Sequence, residues 1–320
     1  MSQCKICGEQ SGLTHYQVKE TMYGMGDSFE YFECPGCRTL QIKDVPEDLS
    51  GYYGSGYYSF QNVPNLFDNR FKAFLKKNRA RAGTGEKGFL KKLLAFFYRP
   101  PEYFEWLKKT KVHLESSILD VGCGSGHLLI SMKKDGFLHL RGLEKFIEDD
   151  VAYGNGVIIY KGALDGILER FDLIMLHHSF EHMPDPLKEL KHLYRLLKND
   201  SFALIRVPVF GTFAWKEYGP DWIQIDAPRH LFLYSVKSME YLAEKSGFKL
   251  VEVVFDSTEF QFWGSEQCRR GINLWDENSV AKNPKNGIFS PRQIRAFKKR
   301  ARVLNQNKDG DQACFYLYKD

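Results

Sequence analysis

No run of apolar residues in this 320-residue chain approaches the roughly 20 that a membrane-spanning helix needs. The opening MSQCKICGEQ also lacks the apolar core of a secretory signal. A cytoplasmic protein with reduced cysteines is the expectation. The zinc-protease pattern H-E-x-x-H is missing, and the glycines at 122, 124 and 126 are spaced G-x-G-x-G, unlike the dinucleotide fingerprint G-x-G-x-x-G. What remains is an ordinary globular composition, 43% hydrophobic and 27% charged, long enough for one large domain and a small one.

A net charge of +5 conceals an uneven distribution. Residues 70–99 carry ten Lys or Arg against a single acid, Glu86, so this stretch is +9 and the remainder −4. A second basic run, PRQIRAFKKRAR, begins at Pro291. Such runs are solvated helix faces or a surface for an anionic partner.

Four of the seven cysteines fall in CKIC and CPGC: Cys4, Cys7, Cys34 and Cys37. Each C-x2-C knuckle aims two thiolates at one point, and two knuckles close a tetrahedral zinc site. The intervening THYQVKETMYGMGDSFEYFEC reads as strands with a turn at Gly24–Gly26. A structural zinc ribbon over residues 1–45 is expected, since four thiolates leave no open position for substrate.

Residues 46–101 read as an aromatic and basic connector. GYYGSGYYSF places two Tyr pairs around Gly-Ser-Gly, and Tyr58 is a candidate to cover a ligand as part of a lid. Leu66, Phe67, Phe71, Phe74 and Leu75 recur with a helical period. GFLKKLLAFF predicts a second short helix, broken by Pro100–Pro101.

The segment SSILDV predicts a strand; Gly122, Gly124 and Gly126 follow, then a helical run. Glycines permit a sharp turn and close approach of a ligand to bare backbone, and the free N–H groups at the helix start favour polar groups. Asp120, just before the first glycine, would repel a pyrophosphate but attract an ammonium. Glu144 ends the next strand, 22 residues past Gly122, where a carboxylate can accept both ribose hydroxyls. An adenosine with an amino-acid tail meets both demands, and S-adenosylmethionine is such a ligand.

ILDVGCGSG, Glu144 and FDLIMLHHSFEHMPDP together resemble a class I S-adenosylmethionine-dependent methyltransferase over residues 102–320. The resemblance implies a seven-stranded, mostly parallel Rossmann-like α/β sheet. FALIRVPVF would be its fifth strand, FKLVEVVFDS the sixth and ACFYLYKD the seventh, with a helical insertion at about 258–305. It places Ala163 and Leu164 near the adenine and His177 and His178 at the end of the fourth strand, His177 closing the methionine side. The usual acidic or amide residue at the adenine is absent, which leaves that contact to backbone.

HHSFEHMPDP holds three histidines and a glutamate within six residues, which invites a metal. Helix spacing would not gather all four, and the resemblance favours Glu181 and His182 leading into a helix shaped by Pro184 and Pro186.

The connection after the fifth strand, Gly211–Ser235, is too long for a plain turn. Its DAPRH resembles a segment of methyltransferases acting on sugars and cell-surface glycans, and the ribbon and YYSF fit that subgroup. Trp215, Trp222 and Tyr218 could face sugar rings, Arg229 could grip a carboxylate or phosphate, and His230 could accept a hydroxyl proton, with His178 as the second catalytic candidate. The resulting expectation is methyl transfer to a hydroxyl of a sugar or nucleotide-linked sugar. An RNA methyltransferase using ribbon and basic face stands as the alternative, although HHSF replaces the asparagine-proline motif of base-amino methylation. A cofactor-binding protein without turnover is the third reading.

Overall fold

The computed structural model of the chain describes residues 2–53, 65–83, 101–285 and 288–320. Two sheets organise it. The larger uses alternating strand and helix. Its members are β4 (Ser117–Val121), β5 (His139–Glu144), β6 (Val151–Ala152), β7 (Ile158–Lys161), β8 (Phe171–His177), β9 (Leu197–Pro208), β11 (Lys249–Phe255) and β12 (Gln312–Lys319). Their order is β11-β12-β9-β8-β4-β5-β7-β6. β4, β5, β7, β8 and β9 run parallel, and β12 is antiparallel to both β9 and β11.

The sheet therefore has eight strands where seven are expected. The eighth, β6, is a two-residue strand antiparallel to β7 at the sheet edge. It is too short to carry an alternation that a sequence pattern could reveal.

Both faces of this sheet are covered, as parallel strands require. Leu119, Ile174 and Leu176 point to one core, with Leu190 and Leu193 of α4 (Pro186–Leu196) and Met239 and Leu242 of α6 (Val236–Ser246). Ile118, Leu173 and Met175 point the other way, to Phe104 and Leu107 of α2 (Tyr103–Leu107) and Leu129 and Met132 of α3 (His127–Lys134). Local signals set the helix starts. Asp185 accepts from the Lys188 N–H ahead of Pro186, and Ser235 and Ser238 form a reciprocal capping box.

The smaller sheet, β1-β2-β3-β10, contains the cysteine knuckles. β1 (Thr14–Lys19) and β2 (Ser28–Glu33) form between the two cysteine pairs, where strands are expected, and β3 (Leu40–Ile42) follows the second pair. The fourth strand, β10 (Phe232–Leu233), comes from the long connection after β9. The ribbon is thus completed by the large domain.

The connector is seen in part. α1 (Arg70–Gly83) forms where a helix is expected, but Phe67, Phe71 and Phe74 are exposed and it is Arg79 and Ala80 that are buried. Arg79 and Tyr103 both bond Asp135. The helix predicted at GFLKKLLAFF lies outside the described residues. After β11 come α7 (Phe260–Arg269) and α8 (Pro291–Gln306), within the expected insertion, while α5 (Phe213–Tyr218) stands in the connection after β9.

Candidate active site

The carboxyl ends of β4, β5, β8 and β9 meet at one edge, the place where α/β folds bind ligands. The turn after β4 has Gly122, Gly124 and Gly126 all at positive φ, 73°, 53° and 75°. A Cβ on Gly122 would lie 2.4 Å from the Ser179 Cβ, so the loop and the end of β8 approach only because side chains are absent. Ser179 Oγ also donates to the Val121 carbonyl (2.7 Å), which fixes that approach.

Glu144 is buried at the tip of β5 and accepts from the Gly124 N–H (2.9 Å) and the Phe146 N–H (3.1 Å), one on each oxygen. Each oxygen keeps a lone pair, so the carboxylate can still accept two ribose hydroxyls. Asp120 is buried; loss of hydration, with Glu144 nearby, pushes its carboxyl up to about 8. An incoming ammonium is the kind of partner this site lacks.

His177 has both ring nitrogens buried without a partner and packs on Trp106 at 4.5 Å between centroids. Burial, with Arg206 and His178 beside it, holds it neutral. Ala163 and Leu164 lie just past β7, at the start of a short 3-10 turn, Ala163 exposed and Leu164 buried. These residues fit S-adenosylmethionine: a ribose acceptor, a buried carboxyl for the ammonium and an orphaned ring at the far end. Tyr58 lies outside the described residues.

The acceptor side starts where β8 ends. His178 sits at φ 52°, and its Nε2 accepts from Arg206 Nη1 (3.1 Å). Arg206 is held by Asp256 (2.6 Å) and stacks 5.0 Å from the Trp106 ring. Glu181 is completely buried, with His178 Nδ1 at 3.5 Å and His230 Nε2 at 3.8 Å from Oε1, both beyond good hydrogen-bond length. Burial pushes the Glu181 carboxyl up, but His178, His230 and His182 outweigh it and hold it at about 2. His230 donates from Nδ1 to the Gln224 carbonyl (2.8 Å), and burial, with His182 adjacent, pushes it down to about 4. It is neutral at pH 7. A cavity of about 190 Å³ opens here, lined by His178, His230, Asp226 and Gln224 and walled by Met22, Phe260 and Trp275 among others.

The other residues expected at the acceptor do not reach it. Arg229 is fully buried, its guanidinium bound to Glu20 (2.8 Å) and Asp226 (2.6 Å). Two carboxylates of the protein itself occupy the fork, so it braces the loop. Trp222 is 1% exposed and donates from Nε1 to Asp311 (2.9 Å), a core position. Tyr218 is buried under Arg269, at 4.6 Å from its ring, and Trp215 packs edge-on against Tyr16 at 5.0 Å. None of the three offers a ring face to the cavity.

Glu181, His182, Asp226 and Arg206 belong to this edge and were not singled out as site residues from sequence. The concentration of histidine and acid in HHSFEH points to Glu181 and His182, DAPRH contains Asp226, and Arg206 carries no signal beyond its strand.

At the other sheet, Cys4 and Cys37 sulfurs lie 3.5 Å apart, as do those of Cys7 and Cys34, and all four lie within 4.8 Å of one another. Thiolates at about 2.3 Å around a tetrahedral zinc stand about 3.8 Å apart, so the set suits that ion. The D-A-P-R-H segment is fastened to this unit: Tyr31 Oη donates to the His230 carbonyl (2.8 Å), Ile42 N–H to the Leu231 carbonyl (3.0 Å) and Ser235 Oγ to the Cys37 carbonyl (2.9 Å).

Residues 58–253 match a family described as a methyltransferase domain. This is more than half of the chain, and the chain belongs to that family. It is an S-adenosylmethionine-dependent methyltransferase. No curated protein matches it. Among solved structures it is similar to mycolic acid cyclopropane synthase CmaA1 complexed with SAH and CTAB, at 16% identity over 82% of this chain and 98% of that one, TM-score 0.44. It is also similar to an S-adenosylmethionine-dependent methyltransferase from Mesorhizobium loti, 14% identical over 67% and 96%, TM-score 0.42. Coclaurine N-methyltransferase bound to N-methylheliamine and SAH is 13% identical over 67% and 71%, TM-score 0.42. At these identities, family membership rests on the family match alone. Among the described residues, no helix is long and apolar enough to cross a membrane.

Proposed function

We propose that the chain methylates a hydroxyl of a sugar or nucleotide-linked sugar held in the cavity beside His178 and His230, with a structural zinc in the four-cysteine site. The observation that carries this reading is the cavity itself. It joins apolar walls, Met22, Phe260 and Trp275, to polar groups, Asp226, Gln224 and His230. A sugar has both kinds of surface, apolar ring faces and a rim of hydroxyls.

S-adenosylmethionine, when bound, supplies an electrophilic methyl group on a sulfonium. Glu144 and Asp120 hold and orient that donor. The acceptor oxygen forms the new C–O bond in line with the breaking C–S bond, and the hydroxyl proton passes to the neutral His230 at Nε2. Glu181 and Asp226, each 3.8 Å from that atom, stabilise the imidazolium. His178 is fixed by Arg206 and stands 3.5 Å from Glu181.

Incubation with methyl-labelled cofactor and a panel of nucleotide-sugars tests this: one of them should gain a single methyl group. His230→Ala should lower kcat by roughly 10²–10⁴-fold with little change in cofactor affinity. A neutral phenotype where chemistry limits the rate would remove His230 from the reaction. The second reading, RNA, draws on α8, whose six Lys and Arg residues are unaccompanied by any acid. RNA binding that weakens steeply with salt would favour it.

A further inference from the structure

Glu181, His182 and His230 meet in a way that proton transfer alone does not account for. A ring nitrogen of each histidine and a carboxylate oxygen of Glu181 lie within 4.8 Å of one another. Glu181 is wholly buried, and its nearest donor, His178 Nδ1, stands 3.5 Å from Oε1, so neither oxygen has a hydrogen bond of good geometry. That is an expensive state for a carboxylate. Both histidines spend Nδ1–H on backbone carbonyls, His182 on Arg229 (2.8 Å) and His230 on Gln224 (2.8 Å). This fixes the tautomer and leaves each Nε2 with its lone pair, the arrangement that prepares a histidine to ligate a metal. His230 Nε2 then faces Glu181 Oε1 and Asp226 Oδ2 at 3.8 Å each, acceptor against acceptor. Asp226 is compensated by Arg229 at 2.6 Å, whereas Glu181 has no cation in contact. The 3.8 Å spacing is too long for a hydrogen bond. It is close to the roughly 3.4 Å between ligand atoms held at about 2.0–2.1 Å around one tetrahedral ion.

We propose that Glu181, His182 and His230 form a second metal site, for a divalent first-row transition cation. Two imidazoles and one carboxylate suit such an ion and differ from the closed thiolate set of the ribbon. Three protein ligands leave a position open. The inference rests on the reading of the adjoining cavity as the acceptor side, where that position takes the acceptor's oxygen. Cation and proton compete for the same His230 Nε2, so in the loaded site the cation acidifies the hydroxyl and the released proton passes to the Asp226 carboxylate, which lines the same cavity.

Cobalt(II) is the probe, since only thiolate ligands give intense sulfur-to-cobalt charge-transfer bands. Metal-stripped full-length protein should take up two equivalents per chain, one with those bands and one with weak d–d bands alone. The second equivalent should bring paramagnetically shifted imidazole signals from two histidines. Glu181→Gln and His182→Ala should each lose that equivalent and keep the first, with S-adenosylhomocysteine affinity unchanged. Absence of a thiolate-free equivalent, or of the shifted imidazole signals, in the unaltered protein overturns the site. So does a second equivalent that survives both substitutions. If a variant no longer binds S-adenosylhomocysteine, the spectra of the unaltered protein decide alone. None of these readouts requires turnover, so failure of the metal site is separable from failure of the sugar-hydroxyl reading, which the labelled product decides.

Discussion

Asp120 spends the cofactor-free state as a neutral acid, because burial beside Glu144 lifts its carboxyl to about 8. An ammonium group placed against it would favour the ionised form and lower that value. Binding at pH 7 should therefore expel a proton. Calorimetry of S-adenosylhomocysteine binding in two buffers of different ionisation enthalpy should show release of up to about one proton, and Asp120→Asn should abolish it. Affinity should rise with pH until about 8, where the free protein has already lost the proton, and then level off as far as this group is concerned. Asp120 and Glu144 were legible because each is tied to a local pattern, a strand end with glycines after it. Arg229 was not. Its planar fork does suit a carboxylate, but the sequence does not say that the carboxylate is Glu20, 209 residues earlier in the chain. The pairing of His182 with His230 was hidden for the same reason: the Arg229 carbonyl that orients His182 lies 47 residues away, beyond any helical or strand spacing.

At the level of elements, periodicity served where segments were long enough to show it. β4, β5, β8, β9 and β12 and the helices between them lie where alternating apolar runs and capping residues put them. β6 and β10 have two residues each and exist only through their partners, β7 and β3. The segment from α5 to β10 misled in another way, because aromatic content does not distinguish a binding face from packing. Trp222 sits between α5 and β10 with its indole N–H on Asp311, whose carboxyl burial pushes up to about 6. Trp222→Ala would empty this core position and leave Asp311 without that donor. A loss of roughly 3–5 kcal/mol in unfolding free energy is expected, read by urea denaturation. A change under 1 kcal/mol would return Trp222 to the list of surface aromatics.

Across the whole molecule the four-cysteine unit and the edge that holds the His178–His230 cavity are mechanically one. Tyr31, Glu20 and β3 hold the segment that carries Asp226, Arg229 and His230. Cys34→Ser should free the first ~45 residues to protease, since small metal-bound ribbons fold with their ion. The glycine loop lies in the other sheet, so S-adenosylhomocysteine should still bind. Methyl transfer should fall by about 10²-fold or more, the scale expected when a reacting group is displaced by an ångström. Equal loss of cofactor binding and turnover would mean that the ribbon supports the whole domain instead. The shared sheet also has a consequence for how the chain is made. β3 ends at Ile42 and its partner β10 begins at Phe232. At about 5–20 residues per second, the ribosome needs on the order of 10–40 s to deliver that partner. For this interval the nascent chain carries an open β3 edge beside thiols able to capture metal, and a chaperone or an early ion has time to act before the 226–233 segment arrives to cover that edge.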